Sequence, residues 1–149
     1  MKKFNVKFFA LGLAFLAIQS CAVRPPENPD NICMIFKEKR GWYNAAIRAE
    51  KRWKIPPYVL MSFIFQESSY KADARPERQK ILGIIPWKRP SSSVGYSQAL
   101  TKTWDDYRDE TGNSRANRKD FKDSADFIGS VSYTHLRAHE TREDRVWRV

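Results

Sequence analysis

The chain has 149 residues, a length that suits one domain around one core. Its only two histidines, His135 and His139, fall after residue 130, so everything before them lacks Ser-His or Cys-His catalysis and the His/Cys spacing of a zinc site, and no phosphate-binding glycine loop occurs. The formal charge of +10 divides into +3 over residues 1–20, +6 over 21–130 and +1 over 131–149, and such a basic middle suits nucleic acid, anionic lipid or an acidic polymer alike.

The first segment, "MKKFNVK", is a positively charged n-region, and "FFALGLAFLAI" is an apolar stretch of signal-peptide length, too short for a comfortable membrane span. "AIQSC" then resembles a bacterial lipoprotein lipobox, with Ile18 and Ser20 fitting and Gln19 a less usual occupant. The resemblance implies a signal peptide over residues 1–20 and lipidation of Cys21, whose acyl chains would anchor the protein to a membrane. Ala22, where an aspartate could stand, implies by the same resemblance an outer-membrane location facing the periplasm. The competing reading is an ordinary cleaved signal with an incidental cysteine. With Cys21 acylated, Cys33 is the only thiol left and a disulfide within the chain is excluded. Cys33 lies among the apolar residues of "NICMIF" and is expected to be a buried, inert thiol.

"RPPENPD", residues 24–30, has three prolines and completes a proline-rich tether over 21–30. Asp30 can cap a helix that begins near Asn31. Over residues 42–53, Trp42, Ala46, Ala49 and Trp53 recur at helical spacing, while Arg48, Lys51 and Arg52 lie off that stripe. "IPP" breaks the chain, and Pro57 suits the first turn of a new helix, where its missing N–H costs nothing. That helix, about 57–67, is apolar on every face and is expected to be the central one, surrounded by protein. Residues 71–94 hold Pro76, Pro86 and Pro90 and read as a long loop with a short hairpin around "ILGIIPW", where Trp87 either lines a groove or pins the loop. "SQALTKTWDDYRDETG" recovers helix period through Leu100, Trp104, Tyr107 and Thr111, with Gly112 as its stop. "NRKDFKDSADFIG" starts another helix with Phe121, Ala125 and Ile128 inward. The fold class is mainly α, with the domain over residues 31–130.

Glu67 is the candidate for chemistry. An acid at the end of a buried helix is desolvated, which favours its protonated form and suits it to donate a proton to a glycosidic oxygen. A structural ion pair with a nearby arginine is the other reading of such a group. The residues around it add a second signal: "ESSY" at 67–70 is followed, after the loop, by "GYSQ" at 95–98. This order, Glu-Ser at the end of a core helix and then Gly-x-x-Gln, resembles the lytic transglycosylases of the SLT type, relatives of goose-type lysozyme. Glu67 and Ser68 match the first element, Gly95 and Gln98 the second, and the likeness covers about residues 31–129. The family usually separates the two motifs by fewer residues.

The resemblance implies a lysozyme-like fold and cleavage of peptidoglycan between N-acetylmuramic acid and N-acetylglucosamine, with formation of a 1,6-anhydro sugar. It implies Glu67 as catalytic acid and base, Ser68 and Gln98 as substrate-binding residues, and no metal, cofactor or nucleic acid; the chain is expected to be a monomer. Tyr70 and Tyr96, which flank the motifs, can pack on sugar faces or in the core. Asp73, six residues past Glu67, could serve as the second carboxylate of a hydrolysing muramidase. A third reading is a non-catalytic, wall-binding lipoprotein.

Residues 131–149 break the pattern. The stripe of Phe121, Ala125 and Ile128 predicts an apolar residue near 132, where Ser132 stands, and both histidines arrive together. "VSYTHLRAHET" resembles a translated sequencing-adapter string, so 131–149 is expected to be a non-native tail on a domain incomplete at its C-terminus. A real, unusual C-terminal helix is the alternative.

Overall fold

The computed structural model of the chain describes residues 23–81, 85, 86 and 89–146. Cys21 and Trp87 lie outside them. Among the described residues are five helices, α1 (Ile32–Glu38), α2 (Arg40–Trp53), α3 (Pro57–Ser68), α4 (Thr101–Thr111) and α5 (Phe121–Val146), and one two-stranded sheet of β1 (Lys80–Ile81) and β2 (Ile85–Pro86). The strands pair antiparallel, Lys80 with Pro86 and Ile81 with Ile85, which is the hairpin expected at "ILGIIPW". The fold is mainly α.

Local chemistry sets the helix ends. Asn31 caps α1, its side-chain oxygen accepting the Met34 N–H at 3.1 Å, one residue later than the cap expected at Asp30. Lys54 closes α2 in the left-handed region at φ 60, where its N–H reaches the Glu50 carbonyl. Pro57 opens α3 with φ already set for a helix. Gly112 ends α4 at φ 67, again in the left-handed region that glycine adopts at no steric cost. α4 begins at Thr101, because the residues just before it form a turn in which Gln98 has φ 46.

The longest contact is between α2 and α5, and α3 packs on both. Trp42 of α2 stacks on Phe121 of α5, ring centroids 4.0 Å apart and planes 3° from parallel. Tyr96 meets Trp42 edge-on at 5.5 Å and Tyr70 meets it tilted at 5.6 Å, the offset and edge geometries that ring quadrupoles favour. Ala45, Ala46 and Ala49 supply a shallow, fully buried face on α2, so α5 can approach closely. At the far end of the pair, Asp126 of α5 accepts the Trp53 indole N–H at 2.8 Å, the Tyr107 hydroxyl at 2.8 Å and the Arg52 guanidinium at 3.0 Å. One half-buried carboxylate thereby joins α2, α4 and α5.

Two expectations are corrected. Cys33 is exposed: it falls on the outward side of the short α1, whose buried residue is Ile35. Residues 24–30 lie on the domain and do not hang free of it. Pro26 is buried, and the Glu27 N–H donates to the Glu38 carboxylate at 3.1 Å.

α5 runs unbroken from residue 121 through 146, across the boundary drawn at residue 131. Val131 is partly buried against the core, and the Tyr133 ring lies 6.0 Å from that of Trp53. Gly129 sits where Trp53 crosses the helix: a Cβ there would lie 2.5 Å from Trp53 Cδ1. Gly41 has open space around it. Gly129→Ala is therefore expected to lower stability in urea unfolding by about 1–3 kcal/mol. Gly41→Ala in the first turn of α2 is expected to raise it by roughly 0.5–1 kcal/mol.

Candidate active site

α3 buries one stripe, Leu60, Met61, Ile64 and Ser68, the residues that helical period puts on one face toward α2 and α5. Val59 packs partly buried at the edge of that stripe, while three large side chains stay open to solvent: Tyr58 is 65% exposed, Phe63 47% and Phe65 38%. Glu67, one position before the last buried residue, is exposed too. The expectation of a helix enclosed on all sides, with a desolvated acid at its end, is therefore corrected. Among the described residues Glu67 forms no ion pair, so its carboxylate is open to a ligand.

The other expected site residues are structural in their placement. Ser68 is buried, and its hydroxyl donates to the Ile64 carbonyl one turn back at 2.9 Å. Tyr70 is buried, with its hydroxyl donating to the Met61 carbonyl at 3.2 Å; its φ of 60 turns the chain sharply off the end of α3. Tyr96 is buried between Trp42 and Phe121. Burial pushes its phenol up to about 12, and the charges of Asp120 and Asp73 add to the shift. Neither tyrosine offers a ring face to solvent; both belong to the core, for the large apolar ring gains more from burial there than the hydroxyl loses.

Gln98 is half-buried and all three of its amide interactions stay within the fold. Its Nε2 donates to the Gly95 carbonyl at 2.7 Å and to the Ala74 carbonyl at 2.9 Å, while its Oε1 accepts from the Ser93 hydroxyl at 3.2 Å. The Gly95 N–H also donates to Ala74 at 3.0 Å. The Gly-x-x-Gln turn thus clamps the segment that leaves α3 directly after Glu67 and Ser68, so the two motifs are joined through the Ala74 carbonyl. On its other side the turn meets Arg118, whose carbonyl accepts the Tyr96 N–H at 3.2 Å and the Ser124 hydroxyl at 3.0 Å. The Arg118 side chain returns to the Ala99 and Ser92 carbonyls, each at 3.1 Å.

Arg118, Ala74 and Asp126 were not singled out from the sequence. Asp126 had a signal, an acid set among the apolar positions Ala125, Phe127 and Ile128. Ala74 had none, since it acts through its backbone carbonyl, and Arg118 had none because half of its role is a carbonyl and the other half a side chain reaching loop carbonyls. Asp126 also acts on Tyr107: burial first, and then the hydrogen bond to this carboxylate, hold the phenol above its ordinary value.

A family model described as the transglycosylase SLT domain matches residues 9–146, a span that includes both motifs and reaches across the junction near residue 130. Comparison with curated proteins and with solved structures returned no match.

The placement of Tyr96 carries a pH dependence. Its phenol is raised from 10.0 to about 12 on folding, so the folded state holds the proton more tightly than the unfolded state. The resulting stabilisation is fully present below pH 10 and is lost as pH rises toward 12. Urea midpoints are expected to fall across that window, and Tyr96→Phe is expected to flatten the fall.

Proposed function

The chain belongs to the transglycosylase SLT family, and from that membership we propose that it cleaves the β-1,4 bond between N-acetylmuramic acid and N-acetylglucosamine, with Glu67 as both acid and base. The observation that carries this reading is the combination at the end of α3: a carboxylate that is exposed and, among the described residues, in no ion pair, on a helix end that the Gly95–Gln98 turn holds through Ala74.

Glu67 donates its proton to the glycosidic oxygen as the C1–O bond of the muramic acid breaks. The substrate's own N-acetyl oxygen stabilises the positive anomeric carbon. The Glu67 carboxylate then takes the proton of the C6 hydroxyl, O6 bonds to C1, and a 1,6-anhydro sugar leaves with the acid restored. A single carboxylate suffices because the second nucleophile belongs to the substrate. In the free chain Glu67 faces water, and the bound glycan covers it during the reaction. Exposed Phe63, one helical turn before Glu67, adds an apolar surface to that cover. Gln98, Ser68, Tyr70 and Tyr96 act as positioning residues: they set the backbone on either side of Glu67 and do not touch the sugar.

The same reading makes residues 1–20 a signal peptide and Cys21 a lipid anchor in the outer membrane, with the domain, a monomer, facing the periplasm. It also takes residues 131–149 as foreign to the domain. Sequencing the native gene from genomic DNA across Gly129–Val131 decides this last point. A frame that departs from "VSYTHLRAHET" and continues into further helices supports it; recovery of "VSYTHLRAHET" refutes it.

Purified chain incubated with peptidoglycan sacculi is expected to release muropeptides with 1,6-anhydro ends, read by mass spectrometry. Glu67→Gln is expected to lower that release by about 100-fold or more, while leaving stability within about 0.5 kcal/mol because the side chain is exposed. Reducing ends in place of anhydro ends would make the enzyme a hydrolysing muramidase, with Asp73 as candidate second carboxylate. Sacculus binding without any release, in both forms, would leave a wall-binding protein.

A further inference from the structure

A hollow of about 470 Å³ between α2 and α5 and a neighbouring one of about 320 Å³ share Arg48 and Lys122 in their walls, and Lys119 lines the second. All three side chains are exposed, and among the described residues none is in an ion pair. The acids beside them are already occupied within the fold. Asp126 takes Arg52, Trp53 and Tyr107. Asp123 accepts the Asn117 N–H at 2.8 Å, and Asp120 accepts the Asp123 N–H at 3.0 Å. A backbone N–H leaves a carboxylate its charge, so with Asp126 and Arg52 balancing each other, the three cations Arg48, Lys119 and Lys122 stand against the two carboxylates Asp120 and Asp123, and the face carries a net charge of +1.

Val23 lines the second hollow and is 54% exposed. The described chain therefore begins on this face. Val23 is two positions past Cys21, with Ala22 alone between them, about 7 Å at full extension. An acyl chain on Cys21 brings this face, and no distant one, to the membrane surface.

We propose that the face carrying Arg48, Lys119 and Lys122 lies on an anionic phospholipid surface, where these side chains bind headgroup phosphates and fix the orientation of the domain. The proposal rests on the lipid-anchor reading for what brings the chain to the membrane. A guanidinium and two ammonium groups supply charge-assisted hydrogen bonds to phosphate oxygens, and such an attraction is screened by salt. The competing polyanion is the carboxylate-bearing stem of peptidoglycan.

The full-length chain, processed in cells and reconstituted in vesicles, is treated with an amine-reactive label and the modified lysines are read by mass spectrometry. With phosphatidylglycerol in the vesicles, Lys119 and Lys122 are expected to react about fivefold more slowly than in pure phosphatidylcholine, the fold-change of a basic residue gaining about 1 kcal/mol at an anionic surface. Lys71 and Lys102, which line neither hollow, are expected to react equally in both. High salt or Arg48→Glu is expected to remove the difference. Equal reactivity of Lys119 and Lys122 in the two vesicles overturns the proposal, as does equal protection by muropeptides without lipid. The intact mass reports acylation separately: acylation without protection removes the lipid-facing surface alone, and protection of an unacylated chain removes the anchor alone.

Discussion

No side chain fits at position 95. The Arg118 carbonyl oxygen lies 1.9 Å from where a Cβ would stand, and the backbone there has φ +84. Glycine alone satisfies both the close approach and the left-handed conformation. With that approach made, the Arg118 carbonyl receives the Tyr96 N–H and the Ser124 hydroxyl, and Tyr96 is delivered into the core between Trp42 and Phe121. The same turn reaches the other way, to Ala74. The start of α5, the aromatic core and the chain leaving Glu67 are thus held by one missing atom.

The chemistry depends on a different balance within α3. Its mean apolarity is high all round, yet burial covers only the Leu60–Met61–Ile64–Ser68 stripe. Glu67, at the edge of that stripe, sits beside buried Ser68 with its own side chain exposed. Ser68 and Tyr70 hold that helix end by returning their hydroxyls to the Ile64 and Met61 carbonyls, both in the turns before Glu67. In the proposed mechanism Glu67 gives up its proton in the glycan-bound state, where exposed Phe63 and the sugar replace water around it.

Much of this was legible in residue order. Pro57 and Gly112 mark helix ends whatever surrounds them, since the ring and the absent Cβ act through the backbone. The Trp42, Ala46, Ala49 stripe identifies a buried face because its partner, α5, is present to cover it. Phe63, Phe65 and Cys33 show the limit: periodicity says which residues seek burial but not which face finds a partner. Asp30 and Asn31 are equally good caps by type, so their order was settled only by geometry. Tyr96 and Gln98 fall in one turn, but a motif does not say whether a residue meets the substrate or shapes the turn that presents it. Carbonyl acceptors such as those of Ala74 and Arg118 leave no trace in residue identity.

The ties that build this site close before residue 131. Phe121 and Ser124 bind α5 to the Gly95–Gln98 turn and to Trp42. Asp126 and Gly129 fit it to the end of α2 through Trp53. Beyond them, Val131 adds partial burial and Tyr133 a ring edge to Trp53, at the end of α2 and away from the turn. Two additions of that kind deepen the α2–α5 contact but leave the Arg118 and Ala74 carbonyls with the same donors. The clamp on Glu67's helix therefore follows from residues 57–130, and the origin of residues 131–149 bears on how firmly α5 is held at its far end, not on how the acid is placed.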